Sequence, residues 1–194
     1  MEDNGYDGLI AFGIPGTGKT LFSQFLGNQY NVPVISCDFG AFKGSLVGQS
    51  EANIREAFRV ISGIGGKNVF VVSTCNKIPE STLPAEFLRR HKSGIYFFDL
   101  PTKEERDSIW KIMISRYNLP DQQIPVDNNW TGADIRNCAE KAWKFKLDLI
   151  AASMYVNPVA VSQPDIVEGC RIVANGRYFS SSDKGIYLAN PSLK

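Results

Sequence analysis

Histidine occurs once in these 194 residues, as His91. A His-ligated metal centre or a Ser-His-Asp triad therefore has almost nothing to be built from, which excludes the common metal hydrolases and triad enzymes. The four cysteines, Cys37, Cys75, Cys138 and Cys170, form no C-x-x-C pair, so neither a zinc knuckle nor a disulfide framework is expected, and a reducing, cytoplasmic compartment is. Net charge is also scarce: 21 Lys and Arg against 20 Asp and Glu leave +1, too little field to hold nucleic acid or an anionic membrane. Long apolar runs are missing too. Stretches such as Val69 to Val72 fall far short of the roughly 20 residues of a membrane helix, and the acidic start Met1-Glu2-Asp3-Asn4 has no basic-then-apolar leader pattern. What remains is 43% apolar residues, enough for a real core in one domain or two small ones.

The order of patterns predicts an α/β core followed by a helical part. Gly8 to Phe12 reads as a strand leading into a glycine-rich turn, and Thr20 to Tyr30 carries Leu21, Phe22, Phe25 and Leu26 at helical spacing. Val32 to Cys37 reads as a second strand and Glu51 to Ile61 as a second helix. Val69 to Val72 and Ile95 to Phe98 are continuous apolar runs that suit strands of a parallel sheet buried on both faces. Beyond Pro101 helices take over. Thr102 with Glu105, and Thr131 with Asp134, have capping-box spacing ahead of helices predicted to reach about Tyr117 and Ala152. Ser162 with Asp165 offers a third start, with Gly176 as its stop, and Tyr178-Phe179 with Ile186-Tyr187-Leu188 reads as a small hairpin. The division is a nucleotide-binding core over 1–101 and a helical domain with a C-terminal hairpin over 102–194. Trp110, Trp130 and Trp143 are expected to be packing residues of the second part.

The chemistry is concentrated at Gly13-Ile14-Pro15-Gly16-Thr17-Gly18-Lys19-Thr20, which satisfies the Walker A spacing G-x-x-x-x-G-K-T between a strand and a helix. Gly13, Gly16 and Gly18 free backbone N–H groups to converge on phosphate oxygens, joined by those of Pro15's neighbour, Thr17 and the helix start through Leu21. The Lys19 ammonium reaches the β- and γ-phosphates, and the Thr20 hydroxyl is a ligand for Mg²⁺. ATP with Mg²⁺ is the expected ligand pair.

With these residues the chain resembles an AAA-family ATPase of the AAA+ superfamily, most like a subgroup found in bacteria, phages and plastid genomes. Gly13 to Thr20 is similar to G-x-P-G-T-G-K-T, Ser45-Leu46-Val47-Gly48-Gln49-Ser50-Glu51 resembles a first pore loop, and Phe98-Asp99-Leu100-Pro101 resembles the exit into the helical lid. Asn76 matches the sensor-1 position, and Leu83 to Arg90 resembles the segment that ends in arginine fingers. Thr131-Gly132-Ala133-Asp134-Ile135 is similar to the lid element that packs near adenine. The resemblance implies a P-loop sheet with a helical lid, and Gly132 and Ala133 beside the nucleotide. It also implies Asn76 polarising the attacking water and Arg89 or Arg90 reaching the γ-phosphate of a neighbouring subunit in a homo-oligomeric ring such as a hexamer. A polypeptide substrate would meet Leu46 and Val47, where the family usually has an aromatic residue, with Phe42 and Lys43 just upstream. A solvated turn for Arg90-His91-Lys92-Ser93 and a buried role for Leu46 and Val47 are competing readings.

The largest departure is an acid pair that is not there. No apolar run in the chain ends in Asp-Glu, and only 57 positions separate Lys19 from Asn76, about half of what the family leads one to expect. A strand and its crossover helix account for a deficit of roughly 30 residues or more. The aspartate would help hold Mg²⁺ and the glutamate would activate water, so ATP binding is expected to survive while hydrolysis falls by about 10² to 10⁴. Asp38 is the candidate substitute Mg²⁺ ligand, against the plainer role of a turn or cap residue. A non-hydrolysing, nucleotide-dependent scaffold is thus the alternative function. A guanine-reading motif is excluded at Asn76-Lys77-Ile78-Pro79, where proline stands in place of the aspartate.

Overall fold

The computed structural model describes residues 7–31, 34, 56, 59, 60, 63, 70–76 and 91–189. Strand β1 (Asp7–Gly13) lies between two parallel neighbours, β2 (Phe70–Cys75) and β3 (Ile95–Phe98). The register sets Phe12 opposite Cys75 on one side and Gly13 opposite Phe98 on the other. Leu9, Ile10, Ala11 and Phe12 are all buried, as the unbroken apolar run predicts for a central strand covered on both faces. Helix α1 (Lys19–Tyr30) follows β1 directly. The predicted strand over 32–37 and the glycine-rich stretch 62–67 lie outside the described residues, apart from Val34 and Gly63. Of the predicted helix over 51–61, Glu56, Arg59 and Val60 are described and helical, with an exposed Glu56–Arg59 ion pair at 2.8 Å.

The lid begins with α2 (Lys103–Arg116) and α3 (Gly132–Phe145), each opened by its predicted capping box: Thr102 with Glu105, and Thr131 with Asp134. Trp110, Trp130, Ile135, Cys138 and Ala142 form the core between them, completed by Leu149 and Ala152 of α4 (Leu149–Ser153). Helix α3 stops seven residues before the predicted end near Ala152, because Lys146 turns left-handed (φ 54°) and Asp148 caps a new helix through the Ala151 N–H. Trp143 departs from the expected packing role: it is 58% exposed, with its ring 5.9 Å from that of Tyr117.

The third lid start also moves. Ser162 ends a short helix α5 (Val159–Ser162), and α6 (Pro164–Ala174) starts with Pro164 in its first turn and Gln163 as N-cap. Proline's fixed φ and missing donor suit that position better than Ser162 does. Gly176, at φ 69°, follows the helix end as predicted.

The C-terminal segment packs on the sheet rather than on the lid core. Phe179–Ser180 forms strand β4, which adds parallel to β3 at the sheet edge, and Phe179 also bridges antiparallel to Ile186. The predicted hairpin therefore exists, and one arm of it extends the sheet to the order β2-β1-β3-β4. Val167, Cys170 and Ala174 of α6, with Tyr178 and Tyr187, bury against Ile10, Phe12, Ile14 and Phe97. Among the described residues no helix is long and apolar enough to cross a membrane.

Candidate functional site

The loop between β1 and α1 is shaped by three glycines with positive φ: Gly13 (143°), Gly16 (83°) and Gly18 (95°). These are values that a side chain resists, so the sequence's glycines are what let the loop close. Gly18 is the left-handed N-cap of α1. The first backbone N–H groups of the helix, those of Lys19, Thr20 and Leu21, are left without intrahelical acceptors and carry the positive end of the helix dipole. Around Gly18 a Cβ would meet nothing within 4 Å, so the mouth of the loop is open. Thr17 turns inward, donating its hydroxyl to Ile14 O at 2.8 Å.

Lys19 is folded into this loop. Its Nζ donates to Gly13 O at 3.0 Å and Ile14 O at 2.7 Å, and the residue is 7% exposed. Burial lowers the ammonium from its ordinary value to about 8, with the Cys75 and Cys170 sulfurs pulling weakly the other way. An ammonium whose hydration has been stripped gains more from a polyphosphate than one in water.

The lid is docked on the loop. Ala133 N donates to Gly16 O at 3.1 Å, and a Cβ on Gly16 would come within 2.7 Å of Thr131 Oγ1 and 2.9 Å of the Ala133 methyl. Thr131 itself is fully buried and shares two bonds with the Asp134 carboxylate, from its N–H and its hydroxyl. Gly132 and Ala133 thus stand against the loop's crest. Substituting Gly16→Ala is expected to push α3 off the loop and to strain the positive φ, costing about 1–3 kcal/mol of stability. Nucleotide affinity should fall severalfold alongside, read by titration calorimetry next to thermal unfolding.

Asn76 is exposed and follows β2 immediately, one position beyond the Cys75–Phe12 pair, which puts it at the same end of the sheet as the loop. Thr20 is exposed in the first turn of α1. Among the described residues no group of three or more His, Cys, Asp or Glu side chains is placed to hold a metal. Arg89, Arg90, Asp38, Leu46, Val47, Phe42 and Lys43 lie outside the described residues. Their neighbour His91 opens a turn in which Lys92 is exposed, but the His91 side chain itself is 4% exposed, with its Nε2 2.9 Å from Ser73 Oγ of β2.

One cluster near the loop escapes sequence reading. Asp99, just after β3, accepts from Arg171 Nε at 2.9 Å and from Tyr187 Oη at 2.7 Å. Burial, reinforced by the Asp99 bond, pushes the Tyr187 phenol far up, so it stays a neutral donor. These residues are 72 and 88 positions apart, and no spacing rule connects them.

Comparison with known proteins places this geometry. Residues 9–69 match the model of the ATPase family associated with various cellular activities (AAA). Uncharacterized AAA domain-containing proteins named ycf46 are similar over most of the chain. That of Pyropia yezoensis is 30% identical over 176 positions, covering 66% of this chain and 35% of that protein. That of Guillardia theta is 27% identical over 182 positions, covering 70% and 36%. The chain is thus similar to AAA-family proteins, through residues 9–69 and through its likeness to the ycf46 proteins. Its fold is that of an AAA domain as well: the FIGL-1 AAA domain superposes with a TM-score of 0.55 at 19% identity, covering 84% of this chain and 76% of that one. The chain spans about a third of the length of the ycf46 relatives it matches.

The two alignments also bear on the missing acids. The Pyropia alignment has 176 positions but takes in only 66% of this 194-residue chain, about 128 residues, so about 48 positions of the relative have no counterpart within the span. The Guillardia alignment gives about 46 in the same way, from 182 positions and 70%. In total size that deficit is of the order of a strand with its crossover helix and some loop, roughly 30 residues or more.

Proposed function

We propose that the chain is an ATP-binding AAA module that holds ATP with Mg²⁺ at Gly13–Thr20 and turns it over slowly. The buried Lys19 within a glycine-shaped loop capped by Gly132 and Ala133 is the observation that carries the binding half. Glycine N–H groups, the α1 N-terminus and Lys19 take the phosphates, Thr20 takes Mg²⁺, and Gly132 and Ala133 border the adenine. The ion, when bound, offsets charge on the transferring phosphoryl group. Asn76 is positioned at the sheet end to orient a water, and Arg89 or Arg90 would complete the site of a neighbouring subunit in a ring, a step that couples turnover to assembly. Leu46 and Val47 would be the contacts to a polypeptide being remodelled.

The absence of an Asp-Glu pair from the sequence favours a second reading, a nucleotide-dependent scaffold that binds ATP without hydrolysing it. Steady-state ATP turnover across a protein concentration series separates the two. Slow turnover that rises with concentration and disappears in Arg89→Ala/Arg90→Ala supports the ring ATPase. Saturable ATP binding with no turnover at any concentration supports the scaffold, and no binding overturns both.

Affinity is also expected to depend on pH through Lys19. Its ammonium loses its proton near 8 in this structure, and only the protonated form favours a polyphosphate. Affinity should therefore be flat below about pH 7 and fall above pH 8, approaching tenfold per unit as binding takes up a proton. A profile that stays flat to pH 9.5 would show that Lys19 is not the titrating contact.

A further inference from the structure

We propose that Asp99, Arg171 and Tyr187 are positioning residues of the nucleotide site, a clamp through which α6 and the C-terminal hairpin hold the root of the phosphate loop and the hinge into the lid. The proposal rests on the ATP-binding reading above for its functional consequence, but its mechanical half stands alone.

The geometry ties three parts of the molecule at one carboxylate. Asp99 accepts from Arg171 Nε of α6 at 2.9 and 3.1 Å, from Tyr187 Oη of the hairpin at 2.7 Å and from Leu100 N of the hinge at 2.7 Å. The Asp99 and Arg171 side chains are only 21% and 16% exposed, so the bonds are sheltered from water and hold their geometry. One residue upstream, Phe98 O accepts from Ile14 N at 3.1 Å, and the same oxygen lies where a Cβ on Gly13 would be 2.3 Å away. Gly13 and Ile14 in turn supply the two carbonyls that hold Lys19. A displacement of the 98–99 peptide is thereby passed to the lysine with no soft element between.

Downstream the hairpin reaches the lid directly. Ser182 Oγ donates to Glu105 Oε1 at 2.8 Å, while Glu105 Oε2 accepts from Thr102 N to close the capping box of α2. The hairpin thus grips both sides of the hinge, at Asp99 and at Glu105. Such a clamp limits how far the lid swings from Gly16, which is a condition for a formed nucleotide pocket.

Tyr187→Phe in the full chain tests this, since it removes one hydroxyl and keeps the ring packed 4.6 Å from Phe97. Ser182→Ala is the second variant, cutting only the lid-side grip. Amide hydrogen exchange is read without nucleotide, and ATP affinity by calorimetry well below the unfolding midpoint. Exchange is expected to rise at 13–18 and 98–102 in Tyr187→Phe, with affinity weakened about fivefold, and to rise at 102–105 in Ser182→Ala. Exchange changes confined to 175–189 would overturn the clamp, as would affinity within twofold of wild type. If the wild-type chain binds no ATP, the ATP-binding reading fails, and exchange at 13–18 still decides whether the clamp reaches the loop.

Discussion

Lys19→Ala is expected to weaken ATP binding by a hundredfold or more. The ammonium sits at 7% exposure, where its charge is poorly screened, and truncating one partner of a buried, hydrogen-bonded charge pair costs about 2–5 kcal/mol, with each 1.4 kcal/mol a factor of ten. The glycine N–H groups and the helix end would remain, which is why residual millimolar binding is expected rather than none. The fold should persist, because Gly13 and Ile14 keep their pairing with Phe98 of β3 and lose only the two carbonyl contacts to Lys19 Nζ. Calorimetric titration beside circular dichroism checks both halves. A native spectrum with affinity within threefold of wild type would remove Lys19 from phosphate recognition.

Gly13→Ala is expected to have the largest effect on stability, a loss of about 3 kcal/mol or more. A methyl there would stand 2.3 Å from Phe98 O and 2.9 Å from Phe98 N, both backbone atoms of the paired strand, at a φ of 143°. Overpacking costs about 1–3 kcal/mol and a non-glycine residue in that backbone region about 1–3 more. For a chain of this size the melting midpoint should fall by roughly 6–12 °C. The contrast is Gly18→Ala, also at a positive φ (95°, left-handed helical) but with no atom within 4 Å of the new Cβ, which bears backbone strain alone. Equal losses at the two positions would show that contact with Phe98 contributes nothing.

The phosphate loop and its flanking elements were legible because their causes are local. Strand β3 spans the predicted Ile95–Phe98, and α1 begins at Lys19, one residue before its predicted start. Thr102 and Thr131 announced their helices through a residue three positions on. Where the reading slipped, a competing local signal had won. Asp148 is a good N-cap inside what looked like one long helix, and Pro164 claims the first turn that Ser162 seemed to offer. The sequence shows His91 only as part of a basic cluster, with a solvated turn as the competing reading, yet its side chain is buried against Ser73, a partner 18 residues away.

The sequence by itself determined the Walker A spacing at Gly13 to Thr20, the two capped helix starts at Thr102 and Thr131, and the lack of an Asp-Glu pair at the end of any apolar run. Glycine, proline and capping residues act on their nearest neighbours, so their meaning survives without the fold. Only the tertiary structure decided that α3 rests on Gly16, that Lys19 is buried enough to lose its proton near 8, and that the C-terminal segment joins the sheet edge and holds Asp99. The contacts of α3 with Gly16 and of the C-terminal segment with Asp99 and β3 close the chain over 72 to 117 residues, from Asp99 to Arg171 and from Gly16 to Ala133. Burial and long-range hydrogen bonds follow from which surfaces meet, and no spacing along the chain records that.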